Sequence, residues 1–258
     1  MGGQLWSIEK DVDVKHVVTK HIVKRAPDCC GKPILLMTSR TYVDFNELVE
    51  QNKINGESTV FNVENLKSKD VVKPEEKLEG ESNKQAFSRL WEKEIYEICD
   101  SHLIGRMHSS LHFPNEIFDT SLYHWGKDNP FAFVYADTCN KPTDKFFEWI
   151  NSYSTYDGIA DDGMLVVTLV LERVKALKPS DSCRNYDNNL IMLCTGDDDS
   201  HGYKNLSEHN KYMNWMSAIA ENVESKNLWK LIEMIHYREK SENASNMVVA
   251  VFRKQQEL

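Results

Sequence analysis

An α/β fold is predicted here: a mostly parallel seven-stranded sheet, helices on both faces, and an antiparallel hairpin at the C-terminal end. Three features carry that expectation. Short apolar runs rich in β-branched and aromatic residues alternate with segments of helical periodicity along the chain. The runs are apolar throughout rather than alternating, as expected of strands covered on both faces. Between the last two runs, 228–239 and 246–254, lie only the six residues KSENAS, too few for a parallel crossover, so those two strands must pair antiparallel.

Taken in order, Val14, Val17, Val18 and Ile22 recur at three- and four-residue intervals, predicting an amphipathic helix over 8–25 that Pro27 and Gly31-Lys32-Pro33 end. ILLMTS (34–39) reads as the first buried strand, and Tyr42, Phe45, Leu48 and Val49 as a helix after it. STVFNVEN (58–65) is the second strand, giving a β-α-β unit with a right-handed crossover. Residues 66–83 are charged and rich in turn formers, and read as a solvated, mobile connection. Ser82 and Gln85 have capping-box spacing and open a helix carrying Phe87, Leu90, Trp91, Ile95 and Ile98.

HLIGRMHS (102–109) is a weaker third strand, and FAFVYADTC (131–139) the strongest strand signal in the chain. Pro142 suits a first helical turn, continued by Phe146, Ile150 and Tyr153. Asp161-Asp162-Gly163 predicts a turn into MLVVTLVLER (164–173). Residues 174–206 are polar and irregular apart from an apolar island at 190–193, and read as an insertion and a candidate protein-partner surface. Trp215, Met216, Ile219 and Val223 give the last helix. With no repeat and no low-complexity tract, residues 1–258 are expected to form one domain.

Composition narrows the function classes. The 258 residues carry a net charge of -9, and the mean hydropathy of -0.53 implies a heavily polar surface. No run approaches the roughly 18 apolar residues of a membrane span, and the N-terminus lacks the pattern of a signal peptide. Six cysteines without a C-x-x-C pair suit reduced thiols, so an intracellular location is expected. An acidic total disfavours a protein living on nonspecific phosphate contacts. Even so, Lys15, Lys20, Lys24, Arg25 and Lys32 gather near the start, which leaves nucleic acid as a candidate partner through a basic N-terminal helix. No Walker A sequence, G-x-S-x-G elbow, H-E-x-x-H or dinucleotide fingerprint is present, and no metal site is expected.

Five strands alternating with helices and closed by a hairpin resemble the class I S-adenosylmethionine-dependent methyltransferases, over roughly residues 30–254. The resemblance implies a cofactor bound beyond the carboxyl ends of the strands, where strand order reverses. It implies that Glu64, closing FNVEN, accepts hydrogen bonds from the ribose hydroxyls, as a two-oxygen carboxylate can. Thr38 and Ser39, with Arg40, occupy the loop that would face the methionine end. His108 and Ser109 stand near the adenine-binding turn, and Asp137 in YADTCN stands on the cofactor and acceptor side as the implied catalytic group. The first loop, Met37-Thr38-Ser39-Arg40-Thr41, lacks the family's glycines, which normally let backbone approach the cofactor. Two functions follow: methyl transfer to a nitrogen or oxygen acceptor, nucleic acid being slightly favoured, or a methyltransferase-like fold kept as an inactive binding or scaffold module.

Overall fold

The computed structural model describes residues 4–8, 13–36, 43–64, 72–98, 106–112, 126–140, 158–170, 190–195, 220–221, 223–224, 228–238 and 246–256. Nine strands lie among them: β1 (Gln4–Ile8), β2 (Pro33–Leu36), β3 (Thr59–Glu64), β4 (Arg106–His112), β5 (Phe131–Asn140), β6 (Ile159–Val170), β7 (Leu190–Thr195), β8 (Trp229–Arg238) and β9 (Asn246–Lys254). Three α-helices accompany them, α1 (Val14–Arg25), α2 (Val43–Glu50) and α3 (Asn83–Ile98). The chain forms two compact units. One comprises Met1–Val18, Asp137–Tyr156 and Leu165–Leu258; the other comprises Thr19–Ala136 and Asp157–Met164.

In the unit built on Thr19–Ala136, the strands run β5-β2-β3-β4, with β6 beside β5. All three of its described registers are parallel: β2 with β3, β2 with β5, and β3 with β4. The chain therefore steps outward from β2 through β3 to β4, then returns to lay β5 on the other side of β2. That reversal is a topological switch point, the place where sheets of this kind leave a crevice at their carboxyl ends. Ile34, Leu35 and Leu36 of β2 and Phe131–Ala136 of β5 are all buried, which explains why both runs are apolar without alternation. Phe61 of β3 meets Phe131 edge to face, with ring centroids 5.6 Å apart.

The amino edge of this unit is stapled by its loops. Gly31, at φ 71, turns the chain into β2, a conformation open to glycine at no steric cost. Its N–H donates to Asn55 Oδ1 at 2.9 Å and Ser58 Oγ at 3.2 Å, and the buried Ser58 hydroxyl donates in turn to the Cys29 carbonyl at 2.9 Å. Lys53 Nζ donates to the Ala26 carbonyl at 2.7 Å, satisfying a carbonyl at the end of α1.

In the other unit the strands run β1-β7-β8-β9, with β6 next to β9. β1 and β7 are parallel, β7 and β8 are parallel, and β8 pairs antiparallel with β9 from Trp229↔Lys254 to Arg238↔Asn246. The closing hairpin is as expected, and β9 has the bounds predicted for it. The described pairings are mostly parallel, an α/β arrangement whose last two strands form an antiparallel hairpin.

Several local expectations are corrected. The seven-strand count omits β1 and β7. Leu190–Thr195, read as an apolar island within an insertion, is a strand lying between β1 and β8; the rest of 174–206 lies outside the described residues. The first helix begins at Val14, not at residue 8. Asp13 Oδ1 accepts from the Lys15 N–H at 2.9 Å and fixes that start, while Gln4–Ile8 is extended. β6 begins at Ile159, and Asp162, at φ 61, kinks the chain inside it. β4 runs to His112, three residues beyond its predicted end. The helix expected from Pro142 lies outside the described residues.

The described part of the connection after β3, residues 72–82, is also more ordered than its composition suggests. Residues 74–76 form a 3-10 turn, and Arg89 of α3 reaches back to hold it. The Arg89 guanidinium donates to both Glu81 oxygens, at 2.9 and 2.8 Å, and to the Glu76 carbonyl at 2.8 Å. The Ser82–Gln85 capping box forms as expected, with reciprocal bonds of 3.0 and 3.3 Å. A charged stretch thus gains a fixed path because one arginine supplies a planar fork of donors.

Two outcomes are expected. Gly163→Ala should cost about 1–3 kcal/mol in urea unfolding, the usual range for overpacking, because an added Cβ would stand 2.6 Å from the Ala160 carbonyl oxygen and 3.2 Å from that of Phe131. Arg89 holds the Glu81 carboxyl down to about 2, from an ordinary 4.5. A depressed carboxylate contributes stability above its unfolded value and loses it as pH falls through its folded one. The stability gap between wild type and Arg89→Ala should therefore be full above pH 4.5 and close towards pH 2, measured by urea unfolding across that range.

Candidate functional site

Register places the candidate residues at the carboxyl ends of the parallel strands. Asn62 of β3 is level with Leu36 of β2, and Leu36 with Tyr135 of β5. Glu64 stands two residues past that row and is the last residue of β3, as expected. Leu36 ends β2 at the switch point; Thr38 and Ser39 lie outside the described residues.

His108 and Ser109 lie within β4, as the run 102–109 implies, level with Phe61 and Asn62 of β3, and the strand continues past them to His112. The register of β3 and β4 shifts after Asn62, and His112 becomes the strand partner of Glu64. The sequence pattern predicts no site role for His112. Its position beside Glu64 follows from where β4 ends, which a weak apolar run does not reveal.

Asp137 lies inside β5, three residues before the strand ends, where it was expected to close it. Its side chain is 11% exposed, directly after the fully buried stretch Phe131–Ala136. A carboxylate at such a place is costly unless a cation or hydrogen bonds compensate it. Here Lys15, from the first turn of α1, brings its ammonium 2.7 Å from Asp137 Oδ2 and is itself 35% exposed. Both residues belong to the same compact unit. Sequence reading counted Lys15 among basic residues available to a polyanion, and nothing in the local pattern signalled a partner 122 positions away.

The remaining basic residues divide between the two ends of α1. A twelve-residue helix is about 18 Å long. Lys24 and Arg25 lie at its far end and Lys32 immediately precedes β2, so these three gather at the amino end of the strand, away from the switch point. Lys20 lies 4.0 Å from Glu47 of α2. Cys29, next to that end, is buried, and desolvation pushes its thiol up to about 12, which leaves it inert as a nucleophile at neutral pH.

No protein-family model matches this sequence, and no curated protein matches it. Solved structures similar to it include SMU.776 complexed with SAH, at 8% identity and a TM-score of 0.47, covering 92% of this chain and 48% of that one. M. jannaschii TYW2 in complex with AdoMet aligns at 10% identity and a TM-score of 0.43, covering 95% of this chain and 78% of that one. The M. jannaschii tRNA m1G37 methyltransferase aligns at 8% identity and a TM-score of 0.39, covering 93% and 49%. The chain spans about half the length of SMU.776. At these values the fold rests on strand order and register, and the chemistry on the residues themselves. Among the described residues, no helix is long and apolar enough to cross a membrane.

Removing Lys15 takes a cation from a largely buried carboxylate. Lys15→Ala should lower stability by about 1.5–3 kcal/mol, the range for a hydrogen bond to a charged group, whereas the exposed Lys24→Ala should stay within about 0.5 kcal/mol of wild type. Denaturant unfolding of the two variants side by side measures the difference.

Proposed function

We propose that this chain is an S-adenosylmethionine-dependent methyltransferase. The observation that carries the reading is the reversal of strand order at β2, with an acidic residue closing the neighbouring parallel strand. Strands pointing the same way bring their carboxyl ends to one rim, and the reversal leaves a crevice there that no crossover helix fills. Glu64 at that rim suits a ribose, whose two vicinal hydroxyls both donate to a carboxylate. Thr38, Ser39 and Arg40 follow β2 in the sequence and are assigned to the charged methionine end. Without glycine this stretch would use side-chain hydroxyls and a guanidinium, where the family uses bare backbone.

When bound, the cofactor supplies a methyl group on a positively charged sulfur, open to attack by a lone pair. The chain's own part is then to orient an acceptor and exclude water, which is where most of the rate comes from in such transfers. Asp137 is assigned to the acceptor side. On the adenine side the reading assigns His108 and Ser109 of β4, with His112 beyond them level with Glu64. A nucleic acid remains the favoured substrate, with the exposed Lys24 and Arg25 as phosphate contacts at a distance from the reacting group.

Calorimetry with S-adenosylmethionine and S-adenosylhomocysteine tests the reading directly. Saturable binding of both is expected. Glu64→Ala should weaken it by at least about tenfold, or ~1.4 kcal/mol, while leaving the unfolding midpoint nearly unchanged. No heat with either ligand from folded protein overturns the proposal in favour of a methyltransferase-like scaffold.

A further inference from the structure

We propose that Lys15 is a specificity-determining residue that restricts the acceptor to an uncharged nitrogen or oxygen and turns away cationic amines. The inference rests on the reading above, in which Asp137 stands on the acceptor side. An unaccompanied aspartate there would suit an ammonium group and hold a protonated amine as substrate. In this chain that place is already taken: the Lys15 ammonium lies 2.7 Å from Asp137 Oδ2.

The position of Lys15 is informative in its own right. It occupies the first turn of α1, where the helix macrodipole presents partial positive charge and a cation is disfavoured. The first turn itself holds no acidic residue, though Asp13 just before it accepts from the Lys15 N–H, while Lys24 and Arg25 sit in the last turn, where the dipole favours them. Lys15 is therefore less well placed for the helix dipole than Lys24 or Arg25, and well placed for Asp137. A pairing at 2.7 Å is a charge-assisted hydrogen bond in the short range. Asp137 is 11% exposed and Lys15 35%, so screening by solvent is incomplete and the charges are felt by anything docking beside them.

The consequence is selection by charge. A protonated amine approaching Asp137 meets an ammonium of its own sign and must displace it from its carboxylate. A hydroxyl or an uncharged ring nitrogen meets no such barrier, and finds an N–H donor and a carboxylate acceptor side by side. Like charges placed together at a binding surface are an effective means of excluding wrong partners.

The test uses the full chain and n-butylammonium as the cationic probe, followed by calorimetry with and without S-adenosylhomocysteine, in wild type, Lys15→Gln, Lys15→Arg and Lys15→Gln/Asp137→Asn. Wild type and Lys15→Arg should bind the probe weakly and alike. Lys15→Gln should bind it at least about tenfold tighter, and Asp137→Asn in that background should remove the gain. Lys15→Arg keeps the charge, so its behaviour separates charge exclusion from a loss of packing should Lys15→Gln prove unstable. Tight binding of the probe by wild type, a gain in Lys15→Arg, no gain in Lys15→Gln, or a gain that survives Asp137→Asn each overturns the inference. A gain as expected from a protein that binds no S-adenosylhomocysteine would sink the methyltransferase reading and leave the charge exclusion standing. S-adenosylhomocysteine binding without the gain would do the opposite.

Discussion

The pairing of β2 with β5 on the side away from β3 is the constraint from which the candidate site follows. Parallel strands cannot be joined by a tight turn, so each return must cross a face of the sheet, and those crossings bury both faces. Buried faces favour apolar runs, so a charged group is best tolerated towards a strand end. In β3 the acidic residue comes last, at Glu64; in β5 the apolar stretch ends at Ala136 and Asp137 follows at once.

Asp137 shows how a local cost becomes a useful arrangement. A carboxylate so little exposed requires a cation, and the nearest residues of its own strand supply none. The helix that begins at Val14, just after Asp13, delivers one from its first turn, at the end of the helix where a lysine gains least from the helix itself. The extended Gln4–Ile8, paired with β7, precedes that helix in the chain, so the segment carrying Lys15 is anchored at both of its ends. Breaking such a pair costs more than forming it gains, because the survivor keeps its desolvation penalty. A partly buried ion pair of this kind is thus held in place by what its loss would leave behind.

Much of the architecture was legible in residue order. The runs 131–139 and 246–254 announced strands through aromatic and β-branched density, and the six-residue gap before the second required an antiparallel hairpin. Glu64 could be placed at a strand end because the apolar run stops there. The Ser82–Gln85 box was readable because both of its bonds lie within four residues. Less legible were segments whose state depends on distant partners. Leu190–Thr195 is short and stands amid polar residues, and it becomes a strand because β1 and β8 flank it. β4 outruns its apolar stretch because β3 offers a partner as far as His112. The stretch after β3 looked mobile because charged residues favour water, until Arg89 gathers their carbonyl and carboxylate groups.

By itself the sequence determined which residues are apolar, in what period and between which turns, and that settles the α/β class, the parallel sheet and the closing hairpin. These are local matters: periodicity, turn chemistry and the minimum length of a crossover. Tertiary structure decided the strand count, the level at which His108, Ser109 and His112 stand against β3, and the partnership of Lys15 with Asp137. Those depend on register and on contacts between residues far apart in the chain, where ladder hydrogen bonds and charge pairing choose among alternatives that the local pattern leaves equal.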